Sequence, residues 1–357
     1  MVSLNFNDFY FFLSPVLLLT GLWLCFFKLN TNSTNQNNNK NVLNINVLKI
    51  NSNNTFVGFY YTILLLNFLN LYTIHGKVFI VWYNHFYLNN FTLNLLYLFT
   101  FISLSLFTLL KVTTKKTNLF KSIDYLFSVN NIVLLLPYLF FSNTVFNFLF
   151  LLELISVVLL YKLVSSKIWF KNVFNKTKLL NNNIPQNYIN MVFFQYWVTF
   201  FSTIFIIYFY INIFYMYGTS EWFVLQFINR LDLENAYTYS LLLRFLVVVF
   251  LLSVFFKLGI TPFHLFKIEV YKGIPFLSIF FYTTYYFSVF FIFFLYLLSD
   301  LLGSFVIQYY LFLVSLLFVG SIYVIILLFD INFIKAFFAY STIINTIGFL
   351  TAFISSL

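Results

Sequence analysis

Long apolar runs separated by short polar segments extend along most of the chain. A membrane-spanning helix needs about 20 largely apolar residues. Ten stretches meet that requirement, at 9–27, 56–74, 91–110, 122–142, 144–163, 188–216, 239–258, 276–298, 304–328 and 333–355. The runs are continuous rather than alternating, which disfavours a closed membrane sheet. The pattern predicts an all-α, polytopic membrane protein with about 10 transmembrane helices.

The composition agrees with this prediction and also bears on the origin of the protein. Charged residues make up 8% of the 357 positions and apolar residues 62%, against about 25% and about 45–50% in soluble proteins. The mean hydropathy is +0.92. Phe and Tyr, with 56 and 27 residues, are among the amino acids that an AT-biased genome over-supplies. We therefore expect an organelle-encoded protein. Asp8 and no basic residue precede the first apolar run, so neither a secretory signal nor a transit peptide is expected.

The net charge of +10 does not indicate nucleic-acid binding, because the basic residues do not cluster on one soluble face. They concentrate in the loops that follow odd-numbered spans: Lys28, Lys40, Lys49, Lys111, Lys115, Lys116, Lys121, Lys162, Lys167, Lys171, Lys176, Lys178, Lys267, Lys272 and Lys335. The other loops hold little beyond Lys77 and Arg230. Such asymmetry marks the inner side of a membrane. We expect the lysine-rich loops on the inside, which in a mitochondrion is the matrix, and both termini on the opposite side, which is then the intermembrane space.

Two polar stretches interrupt the apolar pattern. Residues 28–55 form an Asn-rich, low-complexity segment that is predicted to be a loop, and residues 219–236 are predicted to be an interfacial helix. We divide the chain into 1–130, with three spans and the Asn-rich loop, and 131–357, with the other seven. A single cysteine, Cys25, excludes an internal disulfide and a cysteine-based metal cluster.

Ionisable side chains inside spans are costly and therefore mark candidate functional sites. Glu153 lies within the fifth span, and Lys257 closes the seventh. For Glu153 the sequence leaves two interpretations equally open. It is either a neutral acid hydrogen-bonded to a neighbouring helix or a carboxylate that exchanges a proton beside a cation. Arg244 lies nearer the outer end of its span, from where its side chain can reach the interface.

The residues after Lys257 predict a break in the seventh helix. Gly259 follows, and Pro262 removes a backbone donor and disfavours helical geometry at Thr261. Broken backbone at membrane depth is tolerated where it is buried in protein or lines a watery cavity. Transporters place ion sites at such breaks. His264 follows the break and suits a proton relay, although a lone histidine is more often satisfied by a backbone carbonyl.

Three stretches resemble one family. Residues 256–275, FKLGITPFHLFKIEVYKGIP, resemble the signature F-K-x-x-x-x-P-F-H-x-W-x-P-[DE]-V-Y-x-G-x-P of the antiporter-like subunits of respiratory complex I. The V-Y-x-G-x-P spacing is similar to that of subunit 2 of NADH:ubiquinone oxidoreductase. LLELISVVLLYKL, around Glu153, is similar to the fifth helix of the family, and INFIKAFFAYSTIINTIGFL is similar to its tenth-helix motif K-R-x-x-A-Y-S-S-I-x-x-x-G. The resemblance spans 144–357, whereas the first three spans match in hydropathy and topology.

The resemblance implies a proton-translocating membrane-arm subunit of the NADH:ubiquinone reductase, in the mitochondrial inner membrane. By this resemblance, Glu153 and Lys257 are the paired carboxylate and lysine of an input half-channel, and His264 belongs to a central polar axis. Neighbouring membrane-arm subunits and phospholipids such as cardiolipin are the implied partners. No NADH, flavin, iron–sulfur, quinone or metal site is expected on this chain, since the redox chemistry of the family takes place on other subunits.

Several positions depart from the family pattern. A second lysine of the family, thirty residues after the first, is Phe287 here, and a sixth-helix lysine falls on Gln195. The family has fourteen helices, whereas this sequence contains ten spans. We therefore expect helices 11–14 to come from a separate chain.

Two other functions stay open at this point. A membrane-arm subunit that braces the complex without pumping would explain Phe287 and Gln195, but not Glu153 and Lys257. A stand-alone cation/proton antiporter of related ancestry is less well supported, since ten spans hold only part of the channel of this family.

Overall fold

The computed structural model describes residues 79–81, 85–114, 123–174, 184–222, 224–225, 227, 239–300, 310–329, 331 and 333–356. Ten α-helices run through these residues: α1 Asn90–Thr114, α2 Ile123–Leu135, α3 Val145–Phe174, α4 Ile184–Tyr217, α5 Tyr239–Leu258, α6 Leu265–Gly273, α7 Phe276–Phe281, α8 Ser288–Asp300, α9 Tyr310–Phe329 and α10 Ile334–Ser356. A 3-10 segment, Leu136–Phe141, extends α2, and a π-helical segment, Tyr282–Phe287, joins α7 to α8. A short antiparallel hairpin pairs β1, Phe79–Val81, with β2, Phe86–Leu88.

In the described residues, each predicted span from 91–110 onward coincides with a helix or with a run of consecutive helices, and for the span 304–328 this holds from Tyr310 on. Within the described residues, five helical stretches are long and apolar enough to cross a membrane: Val145–Ser166, Tyr188–Tyr217, Ser278–Ser299, Tyr310–Phe329 and Ile334–Ser356. The described part of the chain is thus a helical structure with several membrane-spanning candidates. The predicted spans 9–27 and 56–74, the loop 28–55 and most of the predicted interfacial helix 219–236 lie outside the described residues.

The β-hairpin is a departure from the all-α prediction. Each strand has 3 residues, FIV and FYL, and is rich in the aromatic and β-branched side chains that favour extended backbone. Because hydropathy windows of span length average over such a short element, the apolar pattern did not reveal it.

The chain divides into two compact units, Met1–Pro137 and Tyr138–Leu357. In the first unit, α1 and α2 contribute fully buried side chains that include Leu93, Tyr125 and Ile132. The second unit holds α3 to α10 and all of the residues that the sequence marks as functional candidates.

Helix α4 organises the second unit. It packs against α3, along α5 and along α6, while α10 packs against α6 and α9. Aromatic rings fill the spaces between helices; the Phe148 ring, for example, lies 5.3 Å from that of Phe293 and 5.9 Å from that of Trp222, between centroids. The outer surface keeps many large apolar side chains exposed, as on α9, where Leu311 is 81% and Phe329 83% exposed. Such surfaces fit a lipid environment.

Candidate functional site

The predicted helix break is present between α5 and α6. Helix α5 ends at Leu258, and Gly259 adopts a φ of 63°, a left-handed conformation that glycine tolerates without steric cost. The Thr261–Pro262 peptide bond is cis. Helix α6 then begins at Leu265. Four residues of the break, Gly259, Ile260, Thr261 and His264, are buried in the second unit, whereas Pro262 is exposed. The break therefore runs between the protein interior and its surface.

Helix α9 approaches the break closely at Gly320. A Cβ atom added to Gly320 would lie 2.6 Å from the Cβ of Thr261, where ordinary carbon contacts are about 3.5–4.0 Å. Only glycine allows the two backbones to come this near. Three residues further along α9, on the same face, the ring of Tyr323 meets the ring of His264 edge-on, with 5.6 Å between centroids.

The two ionisable residues predicted within spans, Glu153 and Lys257, are brought into electrostatic range. The Lys257 side chain is 9% exposed at the end of α5, and the carboxylate of Glu153, on α3, is the charge that acts on its ammonium group. Among the described residues the two do not form an ion pair within 4.0 Å. The Ser156 hydroxyl, one turn along α3, lies 3.4 Å from Oε2 of Glu153 and donates to the Glu153 carbonyl at 2.8 Å. The Glu153 carboxylate and the Lys257 ammonium group therefore interact electrostatically, at a separation longer than that of a direct ion pair.

His264 lies at the start of α6 and is 2% exposed. Within the described residues, neither of its ring nitrogens has a hydrogen-bond partner, although the Pro262 carbonyl is the polar group that acts on the ring. A buried imidazole with two unused nitrogens can both accept and donate a proton. Arg244, by contrast, is half-buried on the first turns of α5, away from the break.

Two lysines that the charge pattern assigned to loops are buried within helices, so the loop assignment is wrong for them. Lys162 lies inside α3 and is 0% exposed; its Nζ lies 3.7 Å from the centroid of the Phe281 ring. Lys267, on α6, is 1% exposed, with Nζ 3.8 Å from the centroid of the Phe287 ring. Within the described part of the chain, neither Nζ has a hydrogen-bond partner. A signal was available for Lys162, since it lies inside the apolar run 144–163 of the fifth predicted span.

Two other lysines that the charge pattern assigned to loops have ordinary structural roles. Lys272 forms an ion pair with Glu269 one turn earlier, 2.6 Å between Nζ and Oε1. Lys335, at the start of α10, donates from Nζ to the Ile274 carbonyl at 2.7 Å. Because Ile274 follows the last turn of α6, this ammonium group caps the negative end of that helix.

The positions where the family carries further lysines are buried and uncharged. Phe287 is 9% exposed and ends the π-helical segment, and Gln195 is 3% exposed on α4. Oε1 of Gln195 has no hydrogen-bond partner among the described residues. π-Helical turns inside α-helices recur at functional sites, and this one presents its last ring to the ammonium group of Lys267.

Comparison with known proteins gives one informative similarity. No family model matches the chain. A stretch of 84 residues is 42% identical to an uncharacterized mitochondrial protein, ORF4, of Paramecium tetraurelia. The stretch is 23% of this chain and 54% of that protein, so this chain spans about half the length of the relative. The similarity supports a mitochondrial origin, and the apolar helices are consistent with insertion into a membrane.

Proposed function

We propose that this chain is a membrane-arm subunit of mitochondrial NADH:ubiquinone oxidoreductase and contributes to proton translocation across the inner membrane. The observation that carries the proposal is the placement of Glu153 and Lys257. A carboxylate from α3 acts on a buried ammonium group at the end of α5, immediately before a helix break. The three motifs of the complex I family and the similarity to a mitochondrial protein support the same assignment.

The chemistry of such a pair follows from two opposing effects. Burial disfavours the ammonium form of a lysine, and a nearby carboxylate favours it. When the distance between Glu153 and Lys257 changes, the balance changes with it, so a small helix movement loads or releases a proton. The pair is not held in a direct ion pair, which leaves room for that movement.

His264 provides a next carrier beyond the helix break. Its ring is buried next to the Pro262 carbonyl, between the end of α5 and the face of α9 that carries Tyr323. An imidazole in this position takes a proton at one nitrogen and gives it up at the other. The proposed path therefore runs from the Glu153–Lys257 pair to His264.

The proposal places the redox reaction on other subunits, which act on this one by conformational or electrostatic change. Neighbouring membrane-arm subunits and anionic lipids such as cardiolipin are the proposed partners. The lysine-rich loops are proposed to face the matrix, and both termini the intermembrane space.

A second candidate is a membrane-arm subunit that braces the complex without pumping. The observation that favours it is the absence of charge at Phe287 and Gln195, which are buried where the family carries lysines. This candidate leaves the costly burial of Lys257 beside Glu153 without a function.

Membership of the complex is tested by native-gel separation of mitochondrial membranes, followed by mass spectrometry of each band. We expect the chain in the band that oxidises NADH, together with flavoprotein subunits and other membrane-arm subunits. Migration in a complex without flavoprotein subunits would refute the assignment.

Proton translocation is tested with Glu153→Gln, which keeps the size of the side chain and removes its charge. We expect fewer protons pumped per NADH oxidised in vesicles that contain the variant complex. Glu221→Gln is the matched control, because Glu221 lies in the loop after α4, where its backbone pairs with Thr144. If the two variants pump with equal stoichiometry, the bracing function is favoured instead.

A further inference from the structure

The ammonium group of Lys267 is isolated in the protein interior. The residue is 1% exposed, and its Nζ has no hydrogen-bond partner in the part of the chain that the structure describes. Among the described residues, the face of the Phe287 ring lies close to this group, 3.8 Å from Nζ to the centroid. The attraction of a ring face for a cation offsets only part of the cost of burying an ion.

Within the described part of the chain, the helices that pack most extensively against α6 hold no carboxylate to offset this cost. Helices α4 and α10, which pack against α6, contain no Asp or Glu, and neither do α7 and the π-helical segment. On α6 itself, Glu269 is taken by Lys272 at 2.6 Å. The nearest basic group of α10, Lys335, is bonded to the Ile274 carbonyl. A permanently charged Lys267 would therefore stand uncompensated.

The helix break holds Lys267 in this position. A Cβ atom on Gly259 would lie 3.2 Å from Cδ of Lys267, so the lysine stem rests on the backbone of the break. The Lys267 amide also donates to the His264 carbonyl at 3.1 Å. The break, which supports the stem, and the ring of Phe287, which meets Nζ, together fix the head group.

We infer that Lys267 is a proton-exchanging site in the protein interior. Its neutral amine takes up a proton to form the ammonium cation that lies on the Phe287 ring, and it returns to the neutral amine when the proton leaves. The step forms one N–H bond on Nζ and breaks one when the proton leaves, with no change in oxidation state. A role of Lys267 in pumping rests on the proposed function, whereas proton exchange by a buried amine does not. If the chain pumps, Lys267 places a cation against the ring of Phe287, the position where the family carries a lysine.

The first test observes the proton directly. The full chain is prepared in lipid nanodiscs with lysine labelled with ¹⁵N at Nζ, and the Lys267 signal is assigned by its loss in Lys267→Arg. On raising the pH from neutral, we expect this signal to move from the ammonium to the amine position below about pH 10, the ordinary lysine range, because burial disfavours the charged form. A Lys267 signal that stays in the ammonium position up to that pH would overturn the inference.

The second test separates proton exchange from a structural cation–π contact. Lys267→Arg keeps the cation and its stacking on Phe287 but cannot release a proton, and Lys272→Arg is the matched control on the same helix. In vesicles that contain the variant complex, we expect Lys267→Arg to oxidise NADH and to lose most of its proton pumping. Full pumping in Lys267→Arg would reduce the residue to a structural contact. If the labelled Lys267 exchanges its proton but the chain is absent from the NADH-oxidising complex, the proposed function fails and the proton site stands.

Discussion

The contact between Gly320 and the helix break gives a sharp prediction for Gly320→Ala. The added Cβ would lie 2.6 Å from the Cβ of Thr261 and 3.0 Å from its Cγ2. An ordinary contact needs about 3.5–4.0 Å, so α9 and the break must separate by about 1 Å. Thr261 is 2% exposed, so its side chain is enclosed by protein. Overpacking of this kind costs about 1–3 kcal/mol.

Gly348→Ala is the matched control, because Gly348 also lies within a helix and has nothing within 4 Å of its added Cβ. Alanine is favoured over glycine inside a helix by about 0.8–1.0 kcal/mol. The control is therefore expected to unfold at the wild-type temperature or above it, and Gly320→Ala below it.

The assay is thermal unfolding of the full chain in lipid nanodiscs, followed by circular dichroism. Because Tyr323 shares a face of α9 with Gly320, the same displacement should also loosen the contact of its ring with His264. Equal unfolding midpoints for the two variants would refute the close approach of α9 to the break.

Two further predictions use the same assay. Lys335→Met removes the cap on the Ile274 carbonyl and is expected to lower the free energy of unfolding by about 1–2 kcal/mol; Lys272→Met, which removes only a partly exposed ion pair, should lower it by about 1 kcal/mol at most. A larger loss in Lys272→Met would contradict the capping role. Phe148→Ala empties a site that is 0% exposed among aromatic rings and is expected to cost about 3 kcal/mol. Phe150→Ala, 56% exposed on the same helix, should change stability by about 0.5 kcal/mol or less, and similar losses in both would contradict the assigned packing of α3.

Helical segments were the most predictable part of this protein. Lipid offers no hydrogen bonds, so the backbone N–H and C=O groups of a continuous apolar run of span length are satisfied by forming a helix. The spans from 91–110 onward therefore coincide with helices. The break after Lys257 was equally predictable, because Pro262 has no amide hydrogen to donate and restricts the backbone conformation of Thr261.

The hairpin and the exact helix ends were less predictable. Strands of 3 residues leave no trace in a window of about 20 residues. Helix α3 runs on to Phe174, past the predicted end at 163, because residues beyond the apolar run still continue the backbone hydrogen bonds.

The sequence by itself determined which residues are ionisable within apolar runs, and so singled out Glu153 and Lys257. Only the tertiary structure decided which lysines are buried. The distribution of charges between predicted spans places Lys162 and Lys267 in water-exposed loops. Their burial, however, depends on which helices pack around them. Lys267 is enclosed because α6 folds back from the break onto α4 and α10. Its ammonium group meets Phe287 across 20 positions of sequence, a pairing that is set by packing in space and carries no local signal.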